Sequence, residues 1–139
     1  MKLTLLGTGC PSIDYKRCGS ANLICSKKTK ILIDCGSGVT QRLNQSGHSS
    51  AEIDALLLTH LHTDHVIDLY QLIISSWHSD RDAIWTIYGP KGTKKFVDQI
   101  FLAWKNERKL RISYEKRKSI KALEYKVYEF NKTGSINIK

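Results

Sequence analysis

The segment LTHLHTDH, residues 58–65, holds three of the chain's five histidines and an aspartate. His60 and His62 are two apart, so in an extended segment their imidazoles share one side. Asp64 and His65 follow where the chain must turn into a helical pattern. Neutral imidazole and carboxylate are the donors that a borderline cation such as zinc takes, at about 2.0–2.2 Å. A lone histidine is usually structural. The pattern H-x-H-x-D-H directly after an apolar run is not explained by packing, because burying such groups without a cation is costly. The spacing therefore nominates His60, His62, Asp64 and His65 as metal ligands. Asp64 has a second reading as a helix N-cap, and its carboxylate has oxygens for both roles.

Rigid elements must hold such a cluster. The run IDALLLTH before it is apolar throughout Ala55–Leu58, as in a strand buried on both faces. From His65 the apolar residues Val66, Leu69, Tyr70, Ile73, Ile74 and Trp77 follow helical spacing. Upstream, KLTLLGTG predicts a first strand. ANLICS and KILIDCG, joined by a short polar link, predict a hairpin. GVTQRLNQSG predicts a short helix stopped by Gly47. Downstream, IWTIYGP predicts a strand, and Thr93 is placed to cap a helix carrying Phe96, Val97, Ile100, Phe101 and Trp104. RISYE, EYKVYEF and SINIK alternate and predict strands. Trp77, Trp85 and Trp104 all fall at core-like positions. The expected fold class is α/β, layered around one mixed sheet with helices on one face.

The chain has 139 residues, enough for one domain with a real core, and 41% of them are hydrophobic. No run reaches the roughly 18 apolar residues of a membrane span, and the start MKLTLLGTGCPS is not a signal peptide, so a cytoplasmic location is expected. Cys10, Cys18, Cys25 and Cys35 form no C-x-x-C pair, which argues against zinc ribbons and thioredoxin-type redox motifs. Cys18, beside Arg17, is the thiol to watch for reactivity. The net charge of +9 lies entirely in residues 91–139, where fourteen Lys/Arg meet five Asp/Glu; residues 1–90 hold eight of each. This basic C-terminal portion suits an anionic partner such as nucleic acid, or is a solvated basic face. GTGCPS is no dinucleotide fingerprint, and GPKGTKK lacks P-loop spacing.

The ordered series LLGTGCPS, SANLI, ILIDCGSGV, LLLTHLHTDH and IYGPKG resembles the metallo-β-lactamase superfamily of hydrolases, in the branch of ribonuclease Z and arylsulfatase-like phosphodiesterases. The resemblance covers about residues 1–105. It implies half of an αββα sandwich and a dinuclear zinc centre, with Mn2+ or Fe2+ as alternatives. His60 and His62 would bind one cation, and Asp64 and His65 the other. Asp64 would also orient the water that attacks a phosphodiester, and Asp34 and Gly36 of IDCGSG would support the site. The positive N-terminal end of the helix after the motif would favour hydroxide and phosphate.

Members of that superfamily add further ligands from a later half. Here only His48 and His78 remain. His48 is expected in a solvated turn, and His78 about 20 Å along the helix from His65. The chain is expected to be an N-terminal half, a split subunit completed by a second chain, or a surviving half with a new role. Three functions follow: a phosphodiester hydrolase acting on RNA or another anionic ester; a non-catalytic nucleic-acid-binding module with a vestigial metal loop; and an assembly subunit, homodimeric or paired with a complementing half.

Overall fold

The predicted hairpin forms. In the computed structural model, which describes residues 1–131 and Ser135, β2 (Ala21–Cys25) and β3 (Lys30–Ile33) pair antiparallel. Their turn is closed by the Ser26 N–H donating to the Thr29 carbonyl at 2.8 Å. β1 (Lys2–Gly7) adds antiparallel to β2. From β3 onward each connection carries a helix and returns parallel, as crossover connections require. Chain order gives α1 (Val39–Gln45), β4 (Ala55–Leu57), α2 (Thr63–Val66), α3 (Leu69–His78), β5 (Trp85–Pro90), α4 (Thr93–Ala103), α5 (Lys105–Glu115) and β6 (Tyr125–Phe130). The sheet is mixed, six-stranded, and ordered β1-β2-β3-β4-β5-β6.

Alternation along the strands separates two faces. One face carries the cross-strand row Leu23–Leu32–Leu56–Ile87, all fully buried. It packs with Leu43 of α1, Leu72 and Ile73 of α3, and Val97 of α4 in one cluster. The opposite face carries the row Leu5–Asn22–Ile33–Leu57–Tyr88–Tyr128. Among the described residues no helix covers it: Leu3 is 61% exposed and Leu5 63%. Helices therefore lie on one face, as expected.

Two tryptophans pin the helical layer. Trp85 Nε1 donates to Ser76 Oγ at 3.1 Å, and Trp77 Nε1 to the Ser119 carbonyl at 2.8 Å. The Arg81 guanidinium is buried over the Trp85 ring and donates to the carbonyls of Ala51, Ile53, Ala83 and Ile84. That arginine ties loops together and is committed to carbonyl partners. No helix among the described residues is long and apolar enough to cross a membrane.

Several expectations change. RISYE is the last turn of α5, because Glu107, Arg111 and Glu115 pair at i, i+4 on a helix that buries no residue. Alternation over five residues mimicked a strand that had no apolar face to bury. Thr93 opens α4 without capping it: Gly92, at φ 100°, is the N-cap, and Thr93 Oγ1 donates to the Pro90 carbonyl. The free amides of Gly92 and Lys94 donate instead to Glu129 Oε1 from β6, at 3.0 and 2.8 Å. Trp104 is not core. It is 48% exposed and stacks on Tyr70. The strand expected in SINIK falls on 136–139, outside the described residues.

Candidate metal centre

The histidine segment leaves β4 under tight control. Leu58 N–H donates to the Tyr88 carbonyl at 2.7 Å, and Thr59 N–H to Asp34 Oδ1 at 2.8 Å. The backbone bends at Thr59 and is extended at His62, the residue before α2. His60 and His62 face the same side, with ring centroids 4.6 Å apart and His60 Nε2 3.1 Å from His62 Nδ1. One turn of helix brings the His65 ring to 4.1 Å from that of His60. Asp64 Oδ2 lies 3.5 Å from His65 Nε2. The nominated side chains thus neighbour one another in pairs, His62 on His60, His60 on His65 and His65 beside Asp64, and Asp64 is a helical residue within α2 rather than its cap.

Asp34 organises the cluster from below. It sits just past β3, is 3% exposed, and has φ 61°, a left-handed conformation that Asp adopts more readily than most residues. Its Oδ2 accepts from His65 Nδ1 and from the Thr59 hydroxyl, each at 2.8 Å. A carboxylate only accepts, so His65 carries its proton on Nδ1 and presents a bare Nε2. The Thr59 hydroxyl spends its single proton on Asp34. The 3.0 Å contact between Thr59 Oγ1 and His60 Nδ1 must then be donated by the imidazole. His60, too, keeps its Nε2 unprotonated, and His62 Nδ1 donates to it at 3.1 Å. One buried carboxylate sets both tautomers.

The backbone locks this arrangement to the sheet. Cys35 N–H donates to the His65 carbonyl at 2.7 Å, and Asp68 N–H to the Cys35 carbonyl at 3.0 Å. The Asp64 carbonyl accepts from Ser20 N–H at 3.2 Å. These bonds divert groups from the helical ladder and break the expected single helix into α2 and α3. With α2 one turn long, the anticipated helix-dipole contribution at the motif is small. Asp68 Oδ2 accepts from Thr40 N–H at 2.7 Å and so holds α1. Gly36 lies where a Cβ would stand 2.1 Å from the Asp64 carbonyl oxygen. Both residues of IDCGSG named as supports therefore touch the histidine segment, Asp34 through its side chain and Gly36 through close backbone approach.

His48 and His78 lie elsewhere. His48 faces Glu52 at 3.8 Å and is half-buried rather than fully solvated. His78 lies 3.0 Å from Glu115 on α5. Among the described residues, no group of three or more His, Cys, Asp or Glu is disposed to hold a metal ion. The donor chemistry, imidazole and carboxylate, fits a divalent cation. Thr59 and Asp68 went unrecognised in the sequence; position directly before the first histidine was the only signal for Thr59. Cys35 is fully buried, and burial, then the charges of Asp68 and Asp34, push its thiol well above its usual range. Beside Asp64 a cavity of about 260 Å³ is lined by Cys10, Ser12, Arg17, Ser37 and Ile67.

Residues 1–129 match the family described as Anti-Pycsar protein Apyc1. The ribonuclease Z of Mycolicibacterium gilvum is 39% identical over 118 residues, covering 82% of this chain and 41% of that protein. The ribonuclease Z of Mycobacterium marinum is 38% identical over 117 residues, covering 82% of this chain and 42% of that protein. The chain thus spans about two fifths of the length of these curated relatives. Human tRNase Z, short form, superposes with a TM-score of 0.69 at 28% identity, over 93% of this chain and 44% of that one. The Bacillus subtilis metallo-β-lactamase fold protein YhfI shares the fold at a TM-score of 0.64 and 21% identity, over 93% of this chain and 44% of that one. The mixed sheet, the histidine segment and these matches together show that the chain belongs to the family of the anti-Pycsar protein Apyc1, ribonuclease Z-like members of the metallo-β-lactamase superfamily.

Proposed function

We propose that this chain contributes the N-terminal half of a metal-dependent phosphodiester hydrolase whose substrates include RNA. The observation that carries the reading is the hydrogen-bond relay from Asp34. It orients two imidazoles with unprotonated Nε2 atoms beside an available carboxylate, an arrangement with no packing purpose. His60 and His62 would hold one cation, and Asp64 and His65 the other. Zinc matches this donor set, with Mn2+ or Fe2+ as alternatives. Bound there, such a pair supplies Lewis acidity and an activated water. Asp34 and Thr59 keep the imidazoles in the ligating tautomer, and Asp64 accepts a proton from the attacking water. The cavity beside Asp64 has room for the ester, and its wall carries Arg17 paired with Asp14 at 3.8 Å.

Ribonuclease Z relatives at 38–39% identity support RNA as the substrate class. Four free thiols suit a reducing cytoplasm. The uncovered apolar sheet face supports completion by a second layer, from a complementing half or a second copy. The test is zinc content and hydrolysis of a chromogenic aryl phosphodiester, comparing wild type with a His60→Ala/His62→Ala double variant. Reduced zinc in the variant is expected; equal zinc in both would remove the ligand assignment.

A second reading, a non-catalytic nucleic-acid-binding or complementation subunit, is favoured by the missing third donor for each cation. It predicts salt-dependent RNA binding that survives the double variant, with no hydrolysis in either protein.

A further inference from the structure

A second cavity of about 550 Å³ lies between α3, α4 and α5. This is within the roughly 300–1,000 Å³ of small-molecule pockets. Leu61, Ile74 and Ile100 contribute aliphatic walls, and Tyr70, Phe96 and Trp104 contribute rings. Tyr70 and Trp104 lie parallel, with centroids 4.9 Å apart and planes at 9°. Tyr70 covers one face of the indole, while 48% of Trp104 stays exposed. The Tyr70 ring is itself held twice more. Phe101 meets it edge-on with centroids 6.3 Å apart, and its hydroxyl donates to Glu107 at 2.8 Å. The aromatic wall is therefore set before a ligand arrives, which lowers the cost of binding one.

The charges of the cavity are already spent. Among the described residues that line it, only Glu107 and Arg111 are charged, and they pair with each other. Glu107 also accepts from Tyr70, and Arg111 reaches Glu115 at 3.3 Å. Burial, then the bond to Glu107, pushes the Tyr70 phenol up, so it stays protonated. An ion of either sign entering here would have to break these pairs or go unanswered, and an unanswered charge away from water is costly. Thr63 and Gln71 supply uncharged polar groups that can bond a hydroxyl or amine. The lining thus fits a neutral molecule with a flat apolar body, for which rings are the matching surface. Leu61 and Thr63 alternate along the chain with His60, His62 and Asp64, so the cavity backs on to the candidate metal centre without using its donors.

We propose that this cavity is a binding site for a neutral, flat aromatic molecule, which packs against Tyr70, Phe96 and Trp104 and hydrogen-bonds to Thr63 or Gln71. The site does not depend on the phosphodiester reading and stands or falls without it. The full chain is titrated with N-phenyl-1-naphthylamine, an uncharged dye that fluoresces when sheltered from water. A Leu3→Ser/Leu5→Ser variant, altered on the open sheet face, is titrated beside it, and far-UV circular dichroism checks folding throughout. Saturable binding that persists in the sheet-face variant is expected. Displacement by 2-naphthol should be at least about tenfold stronger than by 1-decanol, which has as many carbons but no ring, and the anionic 1-anilinonaphthalene-8-sulfonate should bind more weakly than the neutral dye. Trp104→Ala should weaken dye binding about tenfold, the order expected for losing one ring's contact, and Trp104→Phe should restore most of it. Ile100→Trp fills the cavity and should abolish binding. Unchanged affinity in folded Trp104→Ala or folded Ile100→Trp overturns the site, as does the absence of saturable binding or its loss in the sheet-face variant. Equal displacement by 1-decanol overturns the flat ligand, and tighter binding of the sulfonate overturns the neutral one. If the wild type takes up no dye and Ile100→Trp splits a dimer, a second copy is the occupant and the proposal fails.

Discussion

Asp34→Asn separates the chemistry of the candidate centre from its architecture. The wild-type carboxylate, 3% exposed, accepts from Thr59 N–H, the Thr59 hydroxyl and His65 Nδ1–H at 2.8 Å each. An amide keeps the shape and can still accept from Thr59, but its NH2 then faces His65 Nδ1–H. The imidazole escapes that donor–donor clash by moving its proton to Nε2, so that Nδ1 accepts. Folding loses the difference between a charged and a neutral hydrogen bond, about 1 kcal/mol. Metal affinity loses far more, because Nε2 now carries a proton where it should ligate. Removing such an orienting partner typically costs 10–100-fold. Asp34→Ala differs in kind: it strands buried donors at about 1–3 kcal/mol each and should be strongly destabilising. The assays are zinc titration against a competing chelator, urea denaturation, and nitrogen NMR of the His65 tautomer. A folded Asp34→Asn protein with unchanged zinc affinity and Nδ1 still protonated would refute the relay.

Gly36→Ala places a methyl 2.1 Å from the Asp64 carbonyl oxygen and 2.6 Å from backbone atoms of Gly19 and Ser20. No rotamer relieves that overlap, so a loss of about 3 kcal/mol or more is expected in chemical denaturation. Glu129→Ala removes the acceptor for two free amides of α4 and should cost about 1 kcal/mol at the urea midpoint, with Glu129→Gln recovering most of it. Burial, then the hydrogen bond to Asp98, pushes the Tyr125 phenol from 10.0 up to about 12. Its folded pKa is raised, so its stabilisation is complete below about pH 10 and is lost as pH climbs toward 12. Tyr125→Phe should flatten that part of a base-denaturation profile, and an identical profile would discount the Tyr125–Asp98 bond.

The sequence makes the histidine cluster visible because its members lie within six positions, where local geometry alone brings them together. The hairpin of β2 and β3 is equally local: two apolar runs and a polar turn. Asp34 and Gly36 could be named only through resemblance to a family, since their partners stand about thirty positions away in the chain. Thr59 has no pattern of its own, and its role exists only once Asp34 approaches. The same distance hides the cap of α4, which comes from β6. Trp104 and RISYE misled for a shared reason. Periodicity reports which residues would share a face, whereas burial depends on whether another element arrives to cover it. On α5 none does among the described residues, and ion pairs decide the conformation.

The row from Leu5 through Ile33 and Leu57 to Tyr128 gives this polypeptide a broad patch that water wets poorly. In isolation the 139-residue chain should adsorb amphipathic dyes and self-associate as its concentration rises. Loss of dye uptake on adding a candidate partner would therefore be a direct readout that the sheet has acquired its missing roof, well before any chemistry is assayed.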